Sequence, residues 1–405
     1  MIYSLAIRLY ALAVRLAAPF NAKARLMLKG QRQTFRILQE KIREDACVWV
    51  HAASLGEFEQ ARPLMEHLRQ AYPQYKILLT FFSPSGYEVR KDYRGADAVC
   101  YLPFDTPRNA RKFIRLAHPR AAFFIKYEFW YNYLRVCQEK HVKTYSVSSI
   151  FRPSQRFFKW YGEGARRVLR CFTHFFVQDE RSRRLLARIG LNNATVAGDT
   201  RFDRVLGIAR RAKSLPLAET FGAGQPTLVA GSTWEPDEDL IIPYFNTHPQ
   251  MKLILAPHVV SEHRLKEIEN KLRRPFVRYS KAAERDAARA DCLIIDGYGL
   301  LSSLYRYANI AYVGGGFGVG IHNVPEAAVY AVPVLIGPNN KKFREAQDLL
   351  HLGGCIQVTD AKTFNHVLDR LFSDASLLAQ RGHIAGDYIA RHAGATNIIF
   401  SKIEL

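Results

Sequence analysis

The sequence predicts an α/β protein made of two doubly wound, parallel-sheet domains, and three observations lead there. From residue 46 onward, short β-branched or aromatic runs alternate with helical patterns, the signature of βαβ units. The alternation occurs on both sides of a stretch at 201–225 that is charged and then rich in Ala, Pro and Gly, as a connector is. A chain of 405 residues with 48% hydrophobic content also exceeds what one core usually organises.

Taken in order, the first half carries candidate strands near 46–53, 77–82, 98–102, 121–126, 143–148, 174–178 and 194–198. The second half repeats the pattern at 226–231, 251–257, 291–296, 310–315, 332–337 and 355–360, and residues 376–404 read as helix. The expected plan is an N-terminal amphipathic helix at 1–30, a Rossmann-like domain at 31–205, a linker at 206–225, a second Rossmann-like domain at 226–375, and a C-terminal helix at 376–405 that packs back towards the first domain. Two such domains are expected to face each other across a cleft lined by the carboxyl ends of their strands, where open α/β sheets bind ligands.

A formal net charge of +21 and a pI near 9.8 call for an anionic partner: nucleic acid, an acidic membrane or a phosphorylated substrate. Residues 151–190 alone hold ten Arg or Lys against three acids, together with Phe157, Phe158, Trp160 and Tyr161. The six cysteines are scattered without CxxC spacing, which argues against a thiolate zinc site and for a reducing compartment. At the N-terminus, Arg8 and Arg15 interrupt the apolar run, so a spanning helix is not expected. Instead Leu5, Leu9, Leu12 and Leu16 form a stripe beside the two arginines, which suits a helix lying in an anionic interface.

The residues with chemistry sit just after strands. Ser54, Gly56 and Glu57 follow the first strand and open a helix: Ser54 can cap it or touch a ligand, Gly56 lets a ligand approach the backbone, and Glu57 is either a helix N-terminal carboxylate or a proton acceptor. Lys126 and Glu128 end the buried run AAFFI, where a charge needs water, a partner or a role in chemistry. In the second half, Ser232 and Thr233 either cap a helix or donate to an anion. The stretch VGGGFGVGIHNVPE at 313–326 contains Gly315 and Gly316 and runs through His322, Asn323, Val324, Pro325 and Glu326. It reads as a glycine-rich loop feeding a helix, a phosphate cradle with Glu326 placed for ribose hydroxyls. No Walker motif, HExxH or GxSxG occurs, and no metal is expected.

In order and spacing, HAASLGE at 51–57, EFW at 128–130, GDTRFD at 198–203, GSTWE at 231–235 and HNVPEAAVYAVPVLIGP at 322–338 resemble the bacterial Kdo transferases, which attach 3-deoxy-D-manno-octulosonic acid to the lipid A precursor. The resemblance covers nearly the whole chain. It implies a GT-B fold and an inverting, metal-independent reaction without cofactor. It also implies CMP-Kdo as donor, a lipid A precursor of lipid IVA type as acceptor, and attachment to the cytoplasmic face of the inner membrane. By the same resemblance Glu57 is the general base, Glu128 and Arg201 stabilise the transition state, and Ser54, Gly56 and Lys126 lie on the acceptor side. Pro257, His258, Gly299, Leu300, Leu301 and the run Asn323 to Glu326 match CMP contacts.

The departures are specific. Arg201 stands where the family usually has Lys. Pro257-His258-Val259-Val260 replaces Pro-Arg-His-Pro, so the guanidinium expected near the donor is missing, and Gly299-Leu300-Leu301 replaces Gly-Glu-Leu. The competing readings are another GT-B transferase or epimerase using a UDP-sugar, and a non-catalytic binder of nucleic acid or membrane. The second leaves the glycine loop and HNxxE unexplained, so nucleic acid is not expected as a partner.

Overall fold

A computed structural model describes residues 2–43, 45–212 and 214–405; Met1, Glu44 and Lys213, which fall in the expected N-terminal helix, first domain and linker, lie outside the described residues. The chain divides into two compact units, Met1–Arg204 with Ala393–Leu405, and Val205–His392.

The first unit is a parallel sheet of β1 (Cys47–His51), β2 (Lys76–Phe81), β3 (Ala98–Tyr101), β4 (Pro119–Ile125), β5 (Lys143–Ser149), β6 (His174–Val177) and β7 (Ala194–Val196), in the order β3-β2-β1-β4-β5-β6-β7. Each matches a stretch anticipated from sequence. Alternate β1 residues enter two cores. Trp49 packs with Phe113, Phe124 and Tyr133 on one face, while Val48 and Val50 join Phe58, Phe81 and Phe123 on the other. The chain winds outward from β1 to β3, then returns to lay β4 on the other side of β1. The switch point, where the connections diverge and leave a crevice, therefore falls between the carboxyl ends of β1 and β4.

The helix Ile2–Ala17 turns Ile7, Ala11 and Val14 towards Met27, Tyr101 and Phe104. Leu5, Leu9, Leu12 and Leu16 fall within about 60° of one another on the opposite face and are exposed. The next helix, Ala22–Lys41, bends away by 117°, and among the described residues no single helix is long and apolar enough to cross a membrane. Asp105 fixes the first helix in place. Its buried carboxylate accepts from the Tyr3 hydroxyl at 2.7 Å and from the backbone N–H groups of Asn132 and Tyr133 at 3.0 Å each, so it also caps the helix Tyr131–Glu139 from a distance.

The second unit contains β8 (Thr227–Thr233), β9 (Lys252–Pro257), β10 (Phe276–Arg278), β11 (Cys292–Ile294), β12 (Ile310–Val313), β13 (Val334–Ile336) and β14 (Cys355–Gln357), in the order β10-β11-β9-β8-β12-β13-β14. Its switch point lies between β8 and β12. The sequence gives no sign of β10, a three-residue strand at the sheet edge among arginines, too short for alternation to register.

Two boundaries differ from expectation. The stretch 206–225 contains the end of the helix Thr200–Arg210 and a second helix, Pro216–Gly222, whose Ala218 and Phe221 are buried; Ala and Pro there build structure rather than a bare connector. The C-terminal segment breaks at Gly394, with φ of 100°, into Ala375–His392 and Ala395–Phe400. Only the part from Ala393 belongs to the first unit, where the N–H groups of Gly394 and Thr396 donate to Asp203. The longer helix stays in the second unit, with Gly382 and Gly386 closely packed on Ala331.

Replacing Asp105 by Ala leaves two backbone donors and the Tyr3 hydroxyl without their acceptor, and should cost about 1–3 kcal/mol. The expected result is a lower urea midpoint for the first unit and faster proteolysis within residues 2–20, read by tryptophan fluorescence and mass mapping.

Candidate functional site

In the first unit the predicted residues gather at the β1/β4 switch point. Glu57 occupies the first turn of the helix Leu55–Ala71, and its carboxylate accepts from the Ser54 backbone N–H at 3.1 Å and the Ser54 hydroxyl at 3.4 Å. The local bond is the one a helix N-terminal glutamate makes, and Ser54 here serves the turn. What exceeds that reading is the electrostatic setting. Burial, and then the charge of Glu128, push the Glu57 carboxyl above its ordinary range, against the pull of His51, Lys126 and the Ser54 N–H. Gly56 is exposed, and a β-carbon there would meet no protein atom within 4 Å, so nothing inside the fold demands glycine.

Glu128 follows β4 and is nearly buried, its side chain 12% exposed. Its Oε2 lies 3.1 Å from His51 Nε2 and accepts from Trp130 Nε1 at 2.6 Å. Lys126 reaches the same turn through a left-handed backbone, φ 57°, pinned by its N–H to the Val147 carbonyl and by its own carbonyl to the Ser149 hydroxyl. Arg201 sits in the first turn of the helix Thr200–Arg210, where its Nε donates to Asp199 at 3.0 Å; Asp199 also accepts from Gln60 Nε2 at 2.7 Å and Gln178 Nε2 at 3.0 Å. Gln60 lies one turn beyond Glu57 on the same helix, which ties the Arg201 turn to the Glu57 helix.

In the second unit, β8 ends at Gly231-Ser232-Thr233, β9 at Pro257-His258, and β12 feeds the glycine loop. Ser232 is left-handed, φ 54°, but the helix Glu235–Thr247 is capped by Trp234, whose N–H donates to Asp237 at 2.9 Å. The Thr233 hydroxyl is buried and donates to Glu238 at 3.0 Å, so neither residue caps the helix and Thr233 turns inward. The loop differs from the cradle expected of it. The N–H groups of Gly314, Gly315, Gly318, Gly320, Ile321 and His322 are all used inside the protein, that of Gly315 on Asp237.

The glycines instead allow close packing. A β-carbon on Gly314 would strike the backbone of Ser232 and Thr233, and one on Gly316 the backbone of Gly337. The helix that follows, Val324–Ala328, has only five residues, and Asn323 Nδ2 donates to Glu326 at 2.7 Å. Gly299, with φ of 89°, and Leu300 precede the helix Leu301–Leu304.

Three rings meet at this switch point. Trp234 stacks on His258 at 4.6 Å, His258 on His322 at 4.5 Å, and Trp234 Nε1 donates to His322 Nε2 at 3.2 Å. Burial and His258 hold the His322 pKa below its ordinary value, with Asp237 opposing.

Sequence reasoning gave no role to His51, Trp130, Asp199 or Trp234. The available signal for His51 was a titratable residue at the end of the buried run Val48–Val50. Among the described residues no group of three or more His, Cys, Asp and Glu side chains has the arrangement to hold a metal ion.

Two parallel-sheet units, each with polar residues gathered at its switch point, are the architecture of the GT-B fold. The chain is similar to the Kdo transferases: the family profile described as 3-deoxy-D-manno-octulosonic-acid transferase (kdotransferase) matches residues 26–204. The 3-deoxy-D-manno-octulosonic acid transferase of Bordetella pertussis is 27% identical over 378 residues, 89% of this chain and 87% of that protein. The same enzyme of Aquifex aeolicus is 26% identical over 315 residues, 76% and 80% of the two chains. Among solved structures, UDP-GlcNAc 2-epimerase from Neisseria meningitidis superposes with a TM-score of 0.62 at 14% identity over 88% of this chain and 98% of that one. MurG of Acinetobacter baumannii gives 0.54 at 10% identity with the same coverage. These two share the fold.

Gly314→Ala should destabilise the second unit by about 1–3 kcal/mol through overpacking. Gly56→Ala should leave stability unchanged or raise it by up to about 1 kcal/mol. Urea unfolding of the two variants checks the contrast.

Proposed function

We propose that the protein is an inverting, metal-independent transferase that moves Kdo from CMP-Kdo to a lipid A precursor of lipid IVA type at the cytoplasmic face of the inner membrane. The observation that carries the reading is Glu57 itself, a carboxylate at the first unit's switch point whose proton affinity is raised by burial and by Glu128. In the reaction an acceptor hydroxyl attacks the anomeric carbon of Kdo, the bond from that carbon to the CMP phosphate breaks, and Glu57 takes the hydroxyl proton. Charge developing on the phosphate would be met in the second unit by the side chains of Ser232, His258, His322 and Asn323. The family relatives named for Kdo transfer support this donor over a UDP-sugar, and assaying CMP against UDP release separates the two.

A lipid acceptor also suits the first unit. A recess of about 420 Å³ lies between Tyr10, Val14, Ala17 and Met27 on one side and Phe82 to Pro84 on the other. Phe82 in turn packs on Trp130 at 4.7 Å, beside Glu128. The exposed leucines of the first helix, flanked by Arg8 and Arg15, fit an anionic bilayer surface. Trp160, 91% exposed, and Tyr161 offer further interfacial aromatics, whereas Phe157 and Phe158 of the same basic segment pack inward.

Glu57→Gln should keep CMP-Kdo binding while lowering kcat by about 10²–10⁴; a near-normal rate would remove Glu57 from the base role. Because Glu57 must be deprotonated to act and its pKa is raised, activity should appear only as pH climbs past the ordinary glutamate range. Glu128→Gln removes a like charge and should move that limb of the rate profile to lower pH. Leu9→Glu with Leu12→Glu should shift the enzyme from the membrane to the soluble fraction on sedimentation, with melting unchanged because both side chains are exposed.

A further inference from the structure

Behind Glu128 lies a run of buried polar groups that the reaction as described leaves unexplained. Trp49 Nε1 donates to Thr80 Oγ1 at 2.8 Å, Thr80 Oγ1 lies 2.8 Å from His51 Nδ1, and His51 Nε2 lies 3.1 Å from Glu128 Oε2. Trp49, Thr80 and His51 are fully buried in adjacent strands, β1 and β2, in register. A polar triad in a parallel-sheet interior is costly unless every donor and acceptor is used.

The proton positions follow from counting. The indole N–H of Trp49 can only donate, so Thr80 Oγ1 accepts from it. The Thr80 hydroxyl hydrogen then has one acceptor among the described residues, His51 Nδ1. An imidazole that accepts at Nδ1 carries its proton at Nε2, and that N–H faces the Glu128 carboxylate. Trp130 Nε1 donates to the same oxygen at 2.6 Å and also lies 3.1 Å from His51 Nε2; with the ring proton at Nε2, the indole hydrogen goes to the nearer carboxylate. With the indole hydrogen of Trp130 on Glu128, the three links from Trp49 through Thr80 and His51 all point one way, from the sheet interior to Glu128.

We propose that Trp49, Thr80 and His51 form a one-way donor relay, with His51 as the positioning residue that fixes Glu128 beside Glu57 for the transfer reaction. The assignment rests on the reading of Glu57 as base. The groups facing Glu57 are Glu128 and Lys126 from the end of β4, His51 from β1, and the Ser54 N–H of its own turn. The relay fixes the nearest like charge among them. Without the Thr80 hydroxyl the imidazole can take its other tautomer, and Glu128 then loses the His51 donor.

Thr80→Val keeps shape and removes the hydroxyl. The expected result is a roughly 10- to 100-fold fall in kcat, KM values for donor and acceptor unchanged, and an acid limb displaced to lower pH, the direction expected for Glu128→Gln, because the like charge beside Glu57 is no longer held in place. Thr80→Ser should restore both rate and profile. Wild-type kcat and pH profile in folded Thr80→Val would overturn the relay, even if melting is lower. Should Thr80→Val not fold, ¹⁵N shifts of His51 in the wild-type enzyme decide: an Nε2–H ring above pH 7 supports the relay, and an Nδ1–H or doubly protonated ring overturns it. A near-normal Glu57→Gln enzyme sinks the base reading; an inactive Glu57→Gln beside a normal Thr80→Val sinks only the relay.

Discussion

Buried and half-buried carboxylates that accept hydrogen bonds from residues remote in sequence are the constraint on which the loops of both units depend. Asp105 joins the first helix to the start of Tyr131–Glu139, Asp199 joins Gln60, Gln178 and Arg201, and Asp203 holds the returning C-terminal segment. Asp237 does the same in the second unit, accepting from the Tyr312 hydroxyl, the Trp234 N–H and the Gly315 N–H. Loops at the carboxyl ends of parallel strands have irregular backbone, and their N–H groups need acceptors once buried. A carboxylate with four lone-pair positions satisfies several at once and takes little volume.

Glu128 belongs to this set by geometry, yet it differs in what lies beyond it. The other four knot backbone and side chains together inside the fold, whereas Glu128 stands next to Glu57 and raises its proton affinity. A like charge near a base is unfavourable for stability and favourable for proton transfer, because it brings the carboxylate closer to the pKa at which it both remains ionised and accepts well. On the base role proposed for Glu57, that tension accounts for the density of donors around Glu128. A carboxylate held beside another, in a partly buried crevice, needs fixed partners, and His51 and Trp130 supply them.

The alternation of apolar runs with helical patterns made the sheets legible, since parallel strands buried on both faces read as continuous apolar stretches. Sequence could also place Glu57, Glu128 and the glycine loop after strands, because strand ends in such sheets are where ligands bind. It could not show that His51 and Thr80 face one another, because adjacency across β1 and β2 is a matter of register, which spacing along one strand does not contain. Nor could it separate a glycine that binds an anion from one that admits a neighbouring backbone. Gly314 and Gly316 are of the second kind, because what lies opposite them is Ser232, Thr233 and Gly337, up to 82 residues away.

That distinction changes how the second unit meets an anionic donor. With six of the loop's N–H groups used internally and a helix of only five residues behind it, the backbone offers less positive potential than a glycine-rich loop suggests. The guanidinium that the family pattern leads one to expect beside Pro257 is absent, and stacked rings stand there instead. His322 is held towards its neutral form, so near pH 7 it contributes a face and a hydrogen-bonding edge rather than a cation. Neutral stacked rings suit a flat nucleobase or sugar face better than a phosphate. Under the proposed function, recognition of the donor at this switch point would lean on ring stacking and on the polar side chains of Ser232 and Asn323. A bound anion next to His322 would itself draw a proton onto that ring, against the burial that holds it neutral.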